Sequence, residues 1–123
     1  MLKRLIILVL LMFSFVGTVS ASESKYTLYY FYGNIRCTTC RNFERMTTEL
    51  APNLPVVFKT INTDEAGNEH YMTNYRLYTK SVVIADDKGN YKNLDKIWEL
   101  GRDEDKFKAY ITDEVGAFIK ANP

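Results

Sequence analysis

Two cysteines, Cys37 and Cys40, are the residues of this chain best suited to chemistry, and the sequence contains no others. Because two residues separate them, the first turn of a helix that begins here would bring the two sulfurs within bonding distance. Such a pair could exchange disulfides with a partner, hold a soft metal ion such as Cu(I), or only stabilise the fold. A ring closed over two residues constrains the unfolded chain very little, which argues against the purely structural role.

The surroundings of the pair indicate which sulfur attacks. At a helix N-terminus the free backbone N–H groups favour an anion, so the Cys37 thiol should ionise more readily than a free thiol. Arg36 and Arg41 flank the pair and add positive charge, which further stabilises the thiolate and moves the pair toward an oxidising potential. We therefore expect Cys37 to be the attacking sulfur and Cys40, one turn into the helix, to be the resolving sulfur.

Few other side chains near the pair offer chemistry. Thr38 and Thr39 lie between the cysteines, and their hydroxyls could hydrogen-bond the sulfur or cap the helix. Tetrahedral zinc needs more ligands than two thiolates, and the only histidine, His70, lies far along the chain, where we expect a surface position. Apart from the soft-metal alternative, the sequence predicts no metal site.

A strand must precede the pair and a helix must follow it. Residues 26–32 are dense in aromatic and β-branched side chains and end at a Gly-Asn pair, which predicts a strand largely buried on both faces. After the cysteines, Phe43, Met46 and Leu50 recur at helical spacing. This spacing predicts a helix that begins at residue 38 or 39 and ends at about residue 50.

The rest of the chain alternates strands and helices. We predict strands at 56–61, 81–85 and 91–94, a weaker helix at 65–75, a hairpin turn at 86–90 and a final helix capped by Asp103. Segment 95–101 fits either a short helix or the end of the hairpin, and we expect its Trp98 in the core. This order predicts one α/β domain with a central mixed sheet of four to five strands and flanking helices.

The N-terminal segment has the layout of a secretory signal peptide. Lys3 and Arg4 precede a long apolar run, and small residues follow at positions 19–21. We therefore predict a signal peptide at 1–21 and one domain at 22–123, which would be periplasmic or otherwise exported and would contain no membrane span. An uncleaved membrane anchor is the alternative, because the apolar run is near the lower length limit for a span.

Composition and charge narrow the class of partner. The chain has 46% hydrophobic and 25% charged residues and a formal net charge of +1, with both signs mixed throughout. These values suit one folded domain, and no basic face with interleaved aromatic residues indicates nucleic-acid binding. No glycine-rich phosphate loop follows a strand, so nothing indicates a flavin or nucleotide cofactor.

Over nearly all of residues 22–123 the chain resembles the thioredoxin superfamily. Beyond the two cysteines, residues 60–64 are similar to the family's strand that ends in an Asn-x-Asp turn, and residues 75–84 are similar to its approach to the third core strand. The turn at 87–89 also has its counterpart. Through residues 30–44 and its C-terminal half, the chain resembles a group of exported bacterial thioredoxin-like proteins labelled as nitroreductase subunits, the ArsF-like proteins. The resemblance implies a thioredoxin-like fold and redox chemistry at the cysteine pair.

Three features depart from the family pattern. Lys80 and Ser81 stand where the family has a cis-proline that faces the redox pair, so the resemblance implies altered binding of substrate peptides there. Phe31 stands where many members carry a buried acid that helps proton transfer. Arg36 stands where many members carry tryptophan. The resemblance therefore implies weaker general disulfide reduction than in an ordinary thioredoxin.

Together these patterns predict an exported thiol-disulfide oxidoreductase. It would exchange with the protein thiols or disulfides of an unidentified redox partner, act as a monomer, and need no cofactor beyond its own redox-active Cys37–Cys40 disulfide. The alternative is a non-catalytic thioredoxin-fold binding module that holds a soft metal or a protein partner. Metal binding requires a reduced pair, whereas a pair outside the cytoplasm tends to be oxidised. The compartment therefore helps to distinguish the oxidoreductase from the metal-binding module.

Overall fold

The computed structural model describes residues 24–123, so the predicted signal peptide at 1–21 and its cleavage site lie outside the described residues. The strands are β1 (Thr27–Tyr32), β2 (Val57–Asn62), β3 (Ser81–Ala85) and β4 (Tyr91–Asn93). The helices are α1 (Thr38–Leu50), α2 (Glu69–Asn74), α3 (Ile97–Leu100) and α4 (Glu104–Ala121), and a 3-10 turn covers Ala51–Asn53. None of these helices has the length and apolar character that a membrane span requires.

The four strands form one mixed sheet in the order β2-β1-β3-β4. β1 runs parallel to β2 and antiparallel to β3, and β4 is antiparallel to β3. The parallel pair needs a crossover, which α1 supplies, whereas a tight turn joins β3 to β4. The predicted thioredoxin-like α/β architecture, with a mixed central sheet and flanking helices, is therefore confirmed with four strands.

β1 lies inside the sheet and sends alternate side chains into two cores. Tyr30 enters the larger core, where the rings of Phe43 in α1 and Phe107 in α4 stack with 5.6 Å between centroids. Phe31 enters the smaller core on the opposite face, against Leu77 and its neighbours. Each fully buried phenylalanine contributes roughly 1.5–3 kcal/mol to folding. This packing holds both β1 and α1, which flank the cysteine pair.

Three local features test the sequence predictions outside the site. The helix predicted at 65–75 is limited to α2, because Gly67 adopts a left-handed φ of +93° and the helix begins only after it. Segment 95–101 forms the short helix α3. α4 begins after Asp103, whose carboxylate accepts a hydrogen bond from the N–H of Lys106, so the predicted cap is confirmed.

Candidate functional site

Cys37 and Cys40 form the centre of the candidate site. Their sulfurs are joined in a disulfide, and their Cα atoms are 5.1 Å apart. Cys37 is the N-cap of α1, and its Sγ accepts a hydrogen bond from the Cys40 N–H at 3.1 Å. Cys37 is exposed, whereas Cys40 is only 4% exposed. A partner's sulfur can therefore reach Cys37 more readily than Cys40.

A buried tyrosine of the central strand contacts the start of α1. The hydroxyl of Tyr30 donates to the backbone carbonyl of Cys40 at 2.8 Å, and the side chain is 1% exposed. Burial, with a smaller contribution from the charge of Glu44, raises the pKa of Tyr30 to about 12. The phenol therefore stays neutral at physiological pH and remains a donor. This bond ties Cys40 to the sheet.

The loop between β1 and α1 is fixed by the turn that follows β2. The carboxylate of Asp64 accepts a hydrogen bond from the N–H of Asn34 at 2.7 Å, and the Asn62 amide donates to the side-chain oxygen of Asn34 at 2.9 Å. A Cβ atom at Gly33 would lie 2.7 Å from Asp64 Oδ2, so only glycine allows this close approach without a shift. Asp64 therefore sets the path of the chain into Cys37. Sequence reasoning missed this role, although the Asn-x-Asp turn was a signal for it.

The two flanking arginines lie in different electrostatic settings. Arg36 forms a 2.9 Å ion pair with Glu44, and its guanidinium carbon lies 4.5 Å from the centroid of the Tyr32 ring. Glu44 thus offsets much of the positive charge that Arg36 would bring to Cys37. Arg41 is exposed and has no salt bridge within residues 24–123. Of the two, Arg41 keeps a charge that no acidic side chain of the described residues offsets.

Thr38 and Thr39 lie exposed in the first turn of α1. The helix N-cap is Cys37 rather than either threonine. Its sulfur accepts the hydrogen bond from the Cys40 N–H, which is the bond that the hydroxyl of a capping threonine would make. The two threonines therefore contribute small side chains at the surface beside the disulfide.

Lys80 and Ser81, which the sequence predicts to stand in place of a cis-proline, have their own local structure. All described peptide bonds are trans, and the hydroxyl of Ser81 donates to the Thr79 carbonyl at 2.8 Å. Lys80 lines a cleft of about 220 Å³ that Gly33 also lines. The structure thus places Lys80 beside the loop that leads into the redox pair, although neither cysteine lines this cleft.

Large apolar side chains are exposed around these segments. Ile35, two residues before Cys37, is 80% exposed, and Tyr78, which lines the same cleft as Lys80, is 92% exposed. The prediction that Trp98 lies in the core is wrong, since this side chain is 43% exposed. The indole ring packs edge-on against Phe43 of α1, and its N–H donates to the Lys80 carbonyl.

Position 31 brings no acid to the site, and the described residues form no metal-binding cluster. Phe31 is fully buried and its side chain has no titratable group, so this position provides no proton acceptor. Within residues 24–123 no group of three or more histidine, cysteine, aspartate or glutamate side chains could hold a metal ion, and His70 is exposed as expected. The chemistry open to the site is thiol-disulfide exchange or binding through two thiolates.

Known proteins show little similarity to this chain. No family model matches the chain, and no curated protein matches it. Among solved structures, the chain is similar to the X-ray structure of Fasciola hepatica thioredoxin, with 20% sequence identity and a TM-score of 0.46. The alignment covers 63% of this chain and 73% of that chain. The function is therefore inferred from the geometry around Cys37 and Cys40.

Proposed function

We propose that this chain is an exported thiol-disulfide oxidoreductase that acts on protein thiols or disulfides. The main support is the disulfide at the N-terminus of α1, in which an exposed Cys37 is bonded to a buried Cys40. A disulfide that only stabilised the domain would gain little from so short a loop. An exchange reaction in which one sulfur is always attacked first requires one accessible and one protected sulfur, as found here.

The exchange proceeds through a mixed disulfide. A partner thiolate attacks Cys37 Sγ, a partner–Cys37 bond forms, the Cys37–Cys40 bond breaks, and Cys40 leaves as a thiolate. A second partner thiolate then attacks the partner sulfur of the mixed disulfide and releases Cys37. The net reaction oxidises a partner dithiol to a disulfide and reduces the pair to two thiols, with transfer of two electrons and two protons. In the reverse direction Cys37 attacks a partner disulfide and Cys40 resolves the intermediate.

The local electrostatics favour the thiolate form of Cys37. The Cys40 N–H points at the Cys37 sulfur, and the N-terminus of α1 adds a partial positive charge. Arg41 adds a full charge in the first turn, whereas the Arg36 charge is shared with Glu44. Because a stabilised thiolate favours the reduced pair, we expect a more oxidising potential than that of a structural disulfide.

The test is a redox titration of the mature protein against mixtures of reduced and oxidised glutathione. A reversible two-electron transition is expected. Two matched variants assign the sulfurs, since each replaces one sulfur by oxygen. Cys40→Ser should accumulate a mixed disulfide with glutathione, and Cys37→Ser should form little, because its remaining sulfur is buried.

Three results would contradict the proposal. The first is a pair that stays oxidised in strong reductant, which would indicate a structural disulfide. The second is a Cys37→Ser variant that forms the mixed disulfide as readily as the Cys40→Ser variant. A reduced chain that binds Cu(I) tightly but forms no mixed disulfide would favour the binding module instead.

Export is a separate part of the proposal. It is supported by the basic, apolar and small-residue pattern of residues 1–21 and by the resemblance of residues 30–44 to the exported ArsF-like proteins. The mass of the protein recovered from the periplasmic fraction of an expressing bacterium tests it. We expect loss of residues 1–21, and full-length protein in the membrane fraction would favour the anchor.

A further inference from the structure

Trp98 of α3 links α1 to the segment that precedes β3. Its indole N–H donates to the backbone carbonyl of Lys80 at 3.3 Å. Its ring meets the ring of Phe43 edge-on, with 4.9 Å between the centroids. Phe43 is fully buried on α1, three residues after Cys40. One side chain therefore contacts both the redox helix and the segment at the cis-proline position.

The indole N–H of Trp98 occupies the place of the next backbone donor in the β3–β4 ladder, which would otherwise bond to the Lys80 carbonyl. In that ladder the N–H of Leu94 donates to the carbonyl of Val82, and antiparallel bonds of this kind recur every two residues. By the register of the two strands, the next bond would join the N–H of Lys96 to the carbonyl of Lys80. The chain instead turns into α3 at this point, and the indole of Trp98 supplies the donor.

The Lys80–Ser81 peptide lies at the start of β3, where Ser81 pairs with Phe31 of β1. The hydroxyl of Ser81 bonds to the Thr79 carbonyl, and no proline restricts the backbone here. Lys80 shares a cleft with Gly33, in the loop that leads to Cys37. This segment therefore forms part of the surface beside the loop that leads to the disulfide.

Trp98 reaches the surface beside these two contacts, since its side chain is 43% exposed. Together with Tyr78 and Lys80, it lines a second cleft of about 300 Å³. We propose that Trp98 is a positioning residue: it holds the Lys80 main chain against α1 and so sets how fast a partner peptide delivers its sulfur to Cys37. This inference rests on the proposed function.

The test compares two variants. In each, an aromatic side chain loses the group that donates a hydrogen bond to a backbone carbonyl. Trp98→Phe keeps a ring against Phe43 but removes the N–H. Tyr26→Phe is the matched control, because it removes the 2.6 Å bond from the Tyr26 hydroxyl to the Asn122 carbonyl beyond the C-terminus of α4. Each reduced protein reacts with oxidised glutathione and with a cyclic peptide closed by one disulfide, at a temperature at which circular dichroism shows it folded.

We expect Trp98→Phe to slow exchange with the peptide about threefold to tenfold, which is the factor that corresponds to the loss of one hydrogen bond. Exchange with glutathione should slow by less than about twofold. Tyr26→Phe should leave both rates unchanged. Equal slowing with both disulfides, or no slowing with the peptide, would overturn the positioning role. If the wild-type protein exchanges with neither disulfide, the proposed function itself fails, and the inference fails with it.

Tryptophan fluorescence gives a second test that needs no substitution of Trp98. Because Trp98 is the only tryptophan of the chain, the emission of the Cys40→Ser protein reports on this residue alone. A mixed disulfide between Cys37 and the opened peptide should change the emission of Trp98 relative to a mixed disulfide with glutathione. Identical emission from the two adducts would overturn the proposal.

Discussion

The hydroxyl of Tyr30 donates a buried hydrogen bond to the backbone carbonyl of Cys40 at 2.8 Å. Tyr30 lies in β1 and Cys40 lies in the first turn of α1, so the bond joins the sheet directly to the helix that contains the resolving sulfur. A carbonyl oxygen can accept two hydrogen bonds, so this one is compatible with the regular bonding of the helix. The contact helps to keep Cys40 inside the domain while Cys37 remains exposed.

Removal of this hydroxyl should lower stability. Tyr30→Phe keeps the ring in the core but removes a donor from the buried Cys40 carbonyl, so we expect the free energy of unfolding to fall by about 1 kcal/mol. Urea unfolding followed by circular dichroism measures the change. Tyr32→Phe is the control, since this half-buried tyrosine on the same strand makes no side-chain hydrogen bond within residues 24–123. Equal losses in the two variants would contradict this role of the Tyr30 hydroxyl.

The same hydroxyl should make stability depend on alkaline pH. Burial raises the pKa of Tyr30 to about 12 in the folded chain, so the folded state retains the proton where the unfolded state has lost it. The stabilisation is therefore complete below about pH 10, the ordinary tyrosine value, and is lost as pH rises toward the folded pKa. Because each pH unit in this window costs wild type up to about 1.4 kcal/mol, its advantage of about 1 kcal/mol over Tyr30→Phe should vanish within about one unit above pH 10 and then reverse. A difference that stays constant from pH 8 upward would show that the pKa of Tyr30 is not raised.

Gly33 and Asp64 should be energetically coupled. A methyl group at Gly33 would lie 2.7 Å from Asp64 Oδ2, so Gly33→Ala must displace the carboxylate from the N–H of Asn34. In an Asp64→Ala background the same substitution has no carboxylate to displace. We therefore expect Gly33→Ala to cost at least about 0.5 kcal/mol less in that background than in wild type. Urea unfolding of the four proteins of this cycle measures the coupling, and additive losses would rule it out.

The fold could be predicted from the sequence where its elements have local patterns. The aromatic run at 26–32 predicts β1, the spacing of Phe43 and Met46 predicts α1, and the carboxylate of Asp103 caps α4 as predicted. The weak helix was predicted too long, since its polar sequence has no strong period and Gly67 interrupts it. Periodicity thus identified elements with one clearly buried face.

The contacts that shape the site could not be predicted in this way. Tyr30 and Cys40 are 10 residues apart, Lys80 and Trp98 are 18 apart, and the Asp64 contact spans 30 residues. No helical or strand period connects such positions, because the packing of separate elements brings them together. For the same reason the exposure of Trp98 depends on how α3 sits against α1 rather than on its own neighbours in sequence.

A surface cluster of four charges joins α1 to α4 and should give a small, salt-sensitive stabilisation. Arg45 pairs with Glu104 at 2.7 Å, and Lys108 pairs with Glu49 at 2.9 Å. The hydrogen bonds from Lys108 and Arg45 lower the pKa of Glu49, and those from Arg45 and Lys108 lower the pKa of Glu104. Because these pKa values are lower in the folded chain, the stabilisation is present above the ordinary glutamate pKa and is lost as pH falls below it.

Thermal unfolding of Glu49→Gln and Glu104→Gln at two salt concentrations tests this cluster. Both variants should unfold slightly below wild type at neutral pH and low salt, because exposed ion pairs are weak and screened. The deficit should disappear in high salt and at a pH where the wild-type carboxylates are protonated. Glu65→Gln is the control, since this exposed carboxylate has no salt bridge within the described residues. A deficit that persists in high salt, or an equal one in the control, would show that the loss does not come from the ion pairs.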